Sequence, residues 1–221
     1  ANQNDQHGGQ SVPKFDFDMA PGVRKTYQKH YRRCLCNACE LLCGLEDSSE
    51  ALFPVFAALE EKQLVPTLES NESYTAAERE ALQDLLGCPE AQIISAQQFA
   101  AKHAYTETEC ATYQAMQTLI DDLNTMHSRA GAQTPFSSLN YGTDTSPEGR
   151  MVIKNMLLAE QAGLGHGETP IFPIHIFKVK EGVNFNPGDP NYDLFRLACK
   201  VSAKRLFPNF SFLDAPFNLQ Y

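Results

Sequence analysis

A chain of 221 residues that is 43% hydrophobic and 20% charged has the composition of an ordinary globular protein, long enough to bury one large core or two small ones. Its formal net charge of −9 provides no positive field for nucleic acid or an anionic membrane, although helix N-termini and backbone amides can still bind the phosphates of a nucleotide. No apolar run approaches the roughly 18 residues of a membrane span, and the polar start cannot act as a signal peptide, so we expect a cytoplasmic protein.

Four of the seven cysteines, Cys34, Cys36, Cys39 and Cys43, lie within ten residues of one another, a density that superficially suggests zinc or an iron–sulfur cluster. On a helix, the last three share one face and Cys34 points elsewhere, so the four sulfurs cannot converge on one ion. The odd total and the length of the chain also argue against a disulfide framework. We therefore predict reduced, buried thiols, with metal binding as the alternative.

The first 130 residues are predicted to be mainly helical, after an opening loop over residues 1–19. Apolar residues recur every three or four positions from Pro21 to Cys43, and Gly44 follows, which predicts one long helix that begins near the proline. Further helices are predicted over residues 50–64, 76–86 and 106–129, the last two followed by Gly87 and Gly131.

From residue 134 the pattern alternates between strand and helix. Strands are predicted over residues 136–141, 171–179 and 210–213. Each intervening helix is preceded by a capping side chain and a proline that suits the first helical position, Ser146–Pro147 for the first helix and Asp189–Pro190 for the second. Two successive strand–helix–strand crossovers predict neighbouring parallel strands. The expected organisation is a loop and mainly helical part, residues 1–133, and an alternating part, residues 134–221, of the same domain.

Ligands of parallel α/β sheets bind beyond the carboxyl ends of the strands, which here selects the turns 142–146, 181–189 and 214–218. Around the first turn, side chains suited to a ribose hydroxyl or a phosphate are Ser137, Ser138, Asn140, Thr143, Asp144 and Arg150. The competing interpretation is that Asp144 to Ser146 only cap the helix. Asp214 has the same two interpretations, a ligand contact or a cap on the Ala215–Pro216 turn.

Two histidines and a charged strand end are weaker candidates. His7, beside Gly8 and Gly9, could contact phosphate or base, but a histidine that hydrogen-bonds only its own loop is equally expected. His175 lies among apolar strand residues, which favours a core position over a catalytic base. Near the carboxyl end of a strand, Lys178, Lys180 and Glu181 could line the pocket, but a solvated charged edge is the commoner outcome.

Five stretches of the chain, taken in order, carry a resemblance to a known family. They are NDQHGGQS (4–11), PFSSLNYGTDTSPEGR (135–150), GLGHGETPIFPIHIFKVKEGVN (163–184), NPGDPNYDLF (186–195) and SAKRLFPNFSFLDAPFN (202–218). They resemble the catalytic barrel of anaerobic (class III) ribonucleoside-triphosphate reductases. The resemblance is dense over residues 134–221, present over 1–33 and thin over 34–133.

The resemblance implies a ten-stranded α/β barrel of two five-stranded halves, of which this chain would supply three to four strands. The expected fold class is thus α/β, a partial (half) barrel of parallel strands joined by crossover helices, plus a mainly helical N-terminal part. The family reduces ribonucleoside triphosphates at the 2′ carbon, using a thiyl generated by a glycyl radical and, usually, formate as reductant. A separate activase with an iron–sulfur cluster makes the radical from S-adenosylmethionine, and the full-length protein also binds zinc.

The resemblance further implies two nucleotide-contacting loops, one in the region of Gln6, His7, Gly8 and Gly9 and after it, the other at the turn Tyr141–Ser146. These loops would link substrate choice to ATP or deoxynucleotide effectors at the interface of a homodimer. Asp214 joins them as a substrate- or effector-binding candidate.

The family's catalytic cysteines, radical glycine and zinc-binding cysteines match no residue of this chain. We therefore expect an internal fragment of a longer reductase that is inactive alone. The alternatives are a part of another glycyl-radical enzyme and a stand-alone module that senses nucleotides or binds metal. Half a barrel would expose unpaired sheet edges, so we also expect the segment to self-associate through them or to cover them with its helices.

Overall fold

The computed structural model describes residues 8–126 and 134–219. The chain folds as two compact units: Ala1–Pro21 with Ala111–Tyr221, here called the α/β unit, and Gly22–Cys110, here called the helical unit. The helices are α1 (Phe15–Cys43), α2 (Ser48–Glu61), α3 (Glu72–Leu86), α4 (Glu90–Thr125), α5 (Pro147–Ala162) and α6 (Tyr192–Arg205). The strands are β1 (Gln10–Val12), β2 (Ser137–Tyr141), β3 (Ile174–Val179) and β4 (Asn209–Phe212).

The helical unit has a core of tyrosine, cysteine, leucine and alanine side chains, including Leu35 of α1 and Leu82 of α3. One carboxyl group is buried in it. Glu78 is fully buried and accepts hydrogen bonds from Tyr31 Oη at 2.7 Å, Tyr74 Oη at 2.5 Å and Gln97 Nε2 at 2.8 Å. Burial raises the pKa of Glu78, while the three donors act in the opposite direction. The unit therefore contains a satisfied polar network inside an apolar core.

The α/β unit is built on a four-stranded sheet in the order β1-β2-β3-β4, and every neighbouring pair is parallel. The connection from β2 to β3 contains α5, the connection from β3 to β4 contains α6, and these two helices pack together. A mainly helical first part followed by alternating parallel strands and helices confirms the predicted α/β class. Over residues 8–126 and 134–219, the four strands form an open sheet that does not close into a barrel.

Local rules account for several helix ends. Ser146 caps α5, since its side chain accepts a hydrogen bond from the Gly149 amide at 3.1 Å, and Pro147 begins the helix as predicted. Gly44 and Gly87 follow α1 and α3 with left-handed φ values of 65° and 60°, which a glycine adopts without a steric penalty.

The first part of the chain differs from the prediction in two places. Residues 1–19 were expected to form a loop, but Gln10–Val12 pairs with β2, and α1 begins at Phe15 rather than near Pro21. Pro21 therefore lies inside the helix, where it removes one backbone donor, and the nearby Phe15 and Ala20 are buried.

Two other predicted helix starts were wrong. The helix expected over 106–129 begins sixteen residues earlier, at Glu90. Asp189 was expected to cap α6, but its carboxylate accepts from the Asn186 amide at 2.8 Å and closes a turn, so α6 begins at Tyr192. Within the described residues, no helix is both long and apolar enough to cross a membrane.

All seven cysteines are free thiols, and Cys34, Cys36 and Cys39 are buried. Over residues 8–126 and 134–219, no group of three or more histidine, cysteine, aspartate or glutamate side chains is arranged to hold a metal ion.

Candidate functional site

The turns that leave the four strands gather along one edge of the sheet, because parallel strands place their carboxyl ends together. The strands end at Val12, Tyr141, Val179 and Phe212. The predicted nucleotide turn, Gly142–Ser146, therefore lies beside the segment that follows β1 on one side and the turn after β3 on the other. This edge is the candidate site.

The backbone amides of the predicted nucleotide turn are already occupied by a carboxylate of the chain itself. Asp16, in the first turn of α1, accepts hydrogen bonds at Oδ2 from the amides of Gly142 at 2.9 Å, Thr143 at 3.0 Å and Asp144 at 3.0 Å. Three successive amides that point to one oxygen form the kind of concave site that binds anions. Asp16 is 1% exposed, so a phosphate could reach these amides only by displacing it.

Two buried asparagines fasten the same turn to the neighbouring ones. Asn184 donates from Nδ2 to the Gly142 carbonyl at 2.9 Å and to the Lys178 carbonyl at 2.8 Å. Asn191 donates from Nδ2 to the Asp144 carbonyl at 2.8 Å and to the Gly142 carbonyl at 3.2 Å. The turn thus has a fixed backbone before any ligand binds.

Close packing restricts this turn as well. Gly142 has φ +126°, and a Cβ added there would lie 2.8 Å from the Lys178 carbonyl oxygen. Asp144 is buried, accepts from the Ser146 amide at 2.8 Å, and would lie 2.2 Å from a Cβ added at Gly149. Asp144 therefore has the capping role that was the competing interpretation of this residue.

Two charged candidates also bond to neighbouring turns. Arg150 donates from Nη1 to Asn191 Oδ1 at 2.7 Å and to the Pro190 carbonyl, and from Nη2 to Asp193 Oδ2 at 2.8 Å. Asp214 accepts at Oδ2 from the Glu181 amide at 2.7 Å, which joins the turns after β3 and β4. Both side chains therefore hold the edge of the sheet together.

One face of the sheet is less buried than the other and carries polar side chains. The register places Ser11, Ser138 and Ile174 in one row and Asn140, Ile176 and Asn209 in the next, and Lys178 and Ser211 follow on the same face. Among the residues that the structure describes, Asn140 Oδ1 has no hydrogen-bond partner although it is shielded from solvent. Lys178 Nζ donates to the Pro13 carbonyl at 2.6 Å, near the start of α1. We call this surface the open face.

The opposite face of the sheet packs on helices and holds Ser137, which is buried 3.4 Å from the Pro135 carbonyl. Ser137 is thus separated by the sheet from Ser138 and Asn140. The same face holds His175, fully buried, with Nδ1 3.0 Å from Tyr141 Oη and Nε2 3.2 Å from Glu160 Oε2. Burial, and then the nearby Glu160 and Asp16 carboxylates, raise the pKa of Tyr141 well above its ordinary value. His175 therefore has the core position expected for it.

The remaining candidates lie before β1. Gly8 and Gly9 line a shallow cleft with Ser11, Phe136 and Ser138, at the amino end of the strands, so they are at the end opposite to Thr143. Gln6 and His7 lie outside the described residues. The segment after Gly9, however, continues through β1 to Asp16, which bonds directly to the turn Gly142–Asp144.

Sequence reasoning missed three residues that shape this edge: Asp16, Asn184 and Asn191. Asp16 belongs to an alternation of aspartate and phenylalanine that carries no local signal, and its partners lie more than 120 residues later. The two asparagines are in turns where asparagine is common, so only the folded arrangement distinguishes them.

Comparison with known proteins agrees with the resemblance. The family model described as anaerobic ribonucleoside-triphosphate reductase matches residues 1–220. The chain is 40% identical over 111 residues to the protein of that name from Salmonella typhimurium, a match that covers 50% of this chain and 15% of the relative. It is 40% identical over 107 residues to the one from Haemophilus influenzae, covering 48% of this chain and 15% of the relative. It is 41% identical over 111 residues to the one from Enterobacteria phage T4, covering 50% of this chain and 18% of the relative.

The matched segment is thus less than a fifth of the length of these relatives. The family model, in contrast, matches this chain almost from end to end, including the helical unit where the resemblance of the sequence was thin. The chain therefore belongs to the anaerobic ribonucleoside-triphosphate reductase family.

Proposed function

We propose that this chain is an internal segment of the catalytic barrel of a reductase that converts ribonucleoside triphosphates to deoxyribonucleoside triphosphates by glycyl and thiyl radical chemistry. The family match along residues 1–220 is the observation that carries the proposal. The whole protein would use a glycyl radical, made by an activase with S-adenosylmethionine and an iron–sulfur cluster, and would bind zinc. Its proposed partners are ribonucleoside triphosphates, ATP or deoxynucleotide effectors, the activase and a second copy in a cytoplasmic homodimer.

In this proposal the chain contributes nucleotide contacts from the open face and from the turn that follows β2. Ser138, Asn140 and Thr143 supply hydroxyl and amide groups there, and the unpartnered Asn140 Oδ1 suits a hydroxyl donor such as a ribose. The amides of the turn already donate hydrogen bonds to Asp16, which argues against a phosphate bound by those amides. Asp144 and Arg150 would then position the turn without contacting nucleotide.

Equilibrium titration with a ribonucleoside triphosphate tests this assignment. Asn140→Ala should weaken binding by about fivefold, the value of one ordinary hydrogen bond. Asn37→Ala is the matched control, because Asn37 is exposed on α1 in the helical unit. Equal affinities for the two variants would contradict a nucleotide contact from Asn140.

A second experiment tests the division of roles between this segment and the rest of the protein. The segment supplied with activase, S-adenosylmethionine, formate and ribonucleoside triphosphates should form no deoxynucleotide, since no cysteine or glycine of the chain matches the radical positions of the family. Measurable deoxynucleotide would contradict the proposal that the radical residues lie elsewhere.

A further inference from the structure

A cavity of about 360 Å³ lies in the helical unit, where α1, α3, α4 and the segment between α2 and α3 meet. All of its lining residues fall between positions 27 and 101, so the helical unit alone forms it. This volume is typical of pockets that hold a small molecule. The cavity shares no residue with the sheet edge proposed to contact nucleotide.

Three buried tyrosine rings line one side of the cavity: Tyr27 and Tyr31 of α1, and Tyr74 of α3. The ring centroids of Tyr27 and Tyr31 are 6.0 Å apart, and those of Tyr31 and Tyr74 are 5.9 Å apart. The hydroxyls of Tyr31 and Tyr74 both donate to the buried carboxyl of Glu78, which holds these two rings in place. A flat ring suits this wall, because aromatic rings attract one another at such separations, offset or edge to face.

The lining also contains one cationic side chain. Of the described residues that line the cavity, only Arg79 is positively charged, and the one carboxylate, Glu69, is exposed. The Arg79 guanidinium makes two long contacts, from Nε to Gln97 Oε1 at 3.5 Å and from Nη1 to Glu90 Oε1 at 3.6 Å. A guanidinium has five N–H donors in a fork that matches a carboxylate. Arg79 is therefore suited to bind the carboxylate of a ligand in the cavity.

An organic cation is the main alternative ligand, since tyrosine rings also attract cations. The buried carboxyl of Glu78 would favour it, but Glu78 does not line the cavity and already accepts three hydrogen bonds. The guanidinium of Arg79 repels a second positive charge in the same cavity. The charge of the lining thus favours a carboxylate over an ammonium group.

We propose that the cavity binds a small carboxylate with a single aromatic ring, with its carboxylate on Arg79 and its ring against the three tyrosines. Glu78 already fixes two of these rings, so binding costs little ordering of the wall. Benzoate is the simplest molecule of this class. A ligand of its size should bind with a dissociation constant on the order of 1 mM.

Glu90 provides a test in the direction of tighter binding. Its carboxylate lies 3.6 Å from Arg79 Nη1 and therefore competes with the carboxylate of a ligand. The side chain of Glu90 is 58% exposed, and an exposed ion pair is weak. Glu90→Gln should therefore strengthen benzoate binding only modestly, by roughly threefold. Unchanged or weaker binding in this variant would contradict a carboxylate bound at Arg79.

The main test titrates the complete 221-residue chain with benzoate, benzamide, benzylamine and acetate, and follows the NMR signals of ring-labelled tyrosine. We expect benzoate to shift the signals of the three cavity tyrosines and not those of Tyr141 or Tyr192 in the α/β unit. Benzamide lacks the charge and acetate lacks the ring, so each should bind about tenfold more weakly. Benzylamine binding as tight as that of benzoate, or no shift at about 10 mM benzoate, would overturn the proposal.

Variants separate the role of the guanidinium from a general effect of charge. Arg79→Gln should weaken benzoate binding about tenfold, the value of a charge-assisted hydrogen bond, and leave benzamide binding unchanged. Arg196→Gln is the matched control, because Arg196 is exposed on α6 in the α/β unit, and it should bind benzoate as the unmodified chain does. Equal benzoate affinities of the two variants would contradict the proposal. If Arg79→Gln fails to fold, the tyrosine signals of the unmodified chain still decide, because they need no substitution.

Discussion

Replacing Asp16 by alanine should destabilise the α/β unit by about 3 kcal/mol. The substitution removes the whole carboxylate, and one of its oxygens accepts three hydrogen bonds, from the amides of Gly142, Thr143 and Asp144. The other carboxylate oxygen accepts from the Phe17 amide at 3.1 Å at the start of α1. One side chain therefore connects the first helix to the turn between β2 and α5.

The magnitude follows from the donors that would be left without an acceptor. A buried donor without an acceptor costs about 1–3 kcal/mol, so three of them set an upper limit of roughly 9 kcal/mol. Gly142 and Asp144 are buried, whereas Thr143 is partly exposed, and water can enter the space left by the carboxylate. This rehydration lowers the expected loss to about 3 kcal/mol.

The free energy of unfolding can be measured by urea denaturation followed by circular dichroism, since the chain contains no tryptophan. Asp18→Ala is the matched control, because Asp18 is exposed in the same turn of α1. Hydrogen exchange should show faster exchange of the Gly142–Asp144 amides in Asp16→Ala alone. If the two variants differ by less than about 0.5 kcal/mol, the reasoning about these donors is wrong.

Three further predictions concern the same unit. In urea denaturation, Gly142→Ala should lower the free energy of unfolding by about 2 kcal/mol more than Gly182→Ala. Both glycines have positive φ, but only at Gly142 would an added Cβ lie 2.8 Å from a backbone carbonyl oxygen. Equal losses in the two variants would contradict this. Glu160→Ala should lower the free energy of unfolding by about 3 kcal/mol, because it removes a fully buried side chain and leaves a cavity beside His175 Nε2, which lies 3.2 Å from Glu160 Oε2; an unchanged denaturation midpoint would contradict this. Burial raises the pKa of Tyr141 well above 10. The stability that the protonated Tyr141 provides is therefore complete below about pH 10 and is lost as the pH rises further. An absorbance titration in which every tyrosine ionises near pH 10 without unfolding would disprove this.

Several features of the α/β unit could be predicted because their causes are local in the sequence. Ser146 and Pro147 begin α5 through a side-chain cap and a fixed φ, both of which depend on a few adjacent residues. The alternation of strands and helices predicted parallel pairing, which the register confirms. The apolar run that ends at Val179 predicted a strand covered on both faces, which was wrong for one face, since the side chains of β3 alternate between half-buried and buried positions.

Other features depended on packing that a single sequence does not reveal. The first half of α4 was missed because its buried face consists largely of alanines, such as Ala96, Ala100 and Ala104, which give little hydrophobic periodicity. β1 is three residues long, and two of them are exposed, so it gives no strand pattern. The role of Asp16 could not be predicted, since it arises only when the start of α1 meets the turn after β2.

The separation of site residues between the two faces of the sheet follows from strand geometry once the register is known. Ser137 and Ser138 are adjacent in sequence and were predicted together, but alternate side chains point to opposite faces. Only Ser138 therefore shares the open face with Asn140.

Hydrogen exchange with and without a saturating ribonucleoside triphosphate tests the proposed nucleotide role most directly. The account predicts slower exchange in the peptides that contain the end of β2 and the turn Gly142–Ser146, with no change across the helical unit. Protection confined to residues 22–110, or no protection anywhere at saturation, would contradict it.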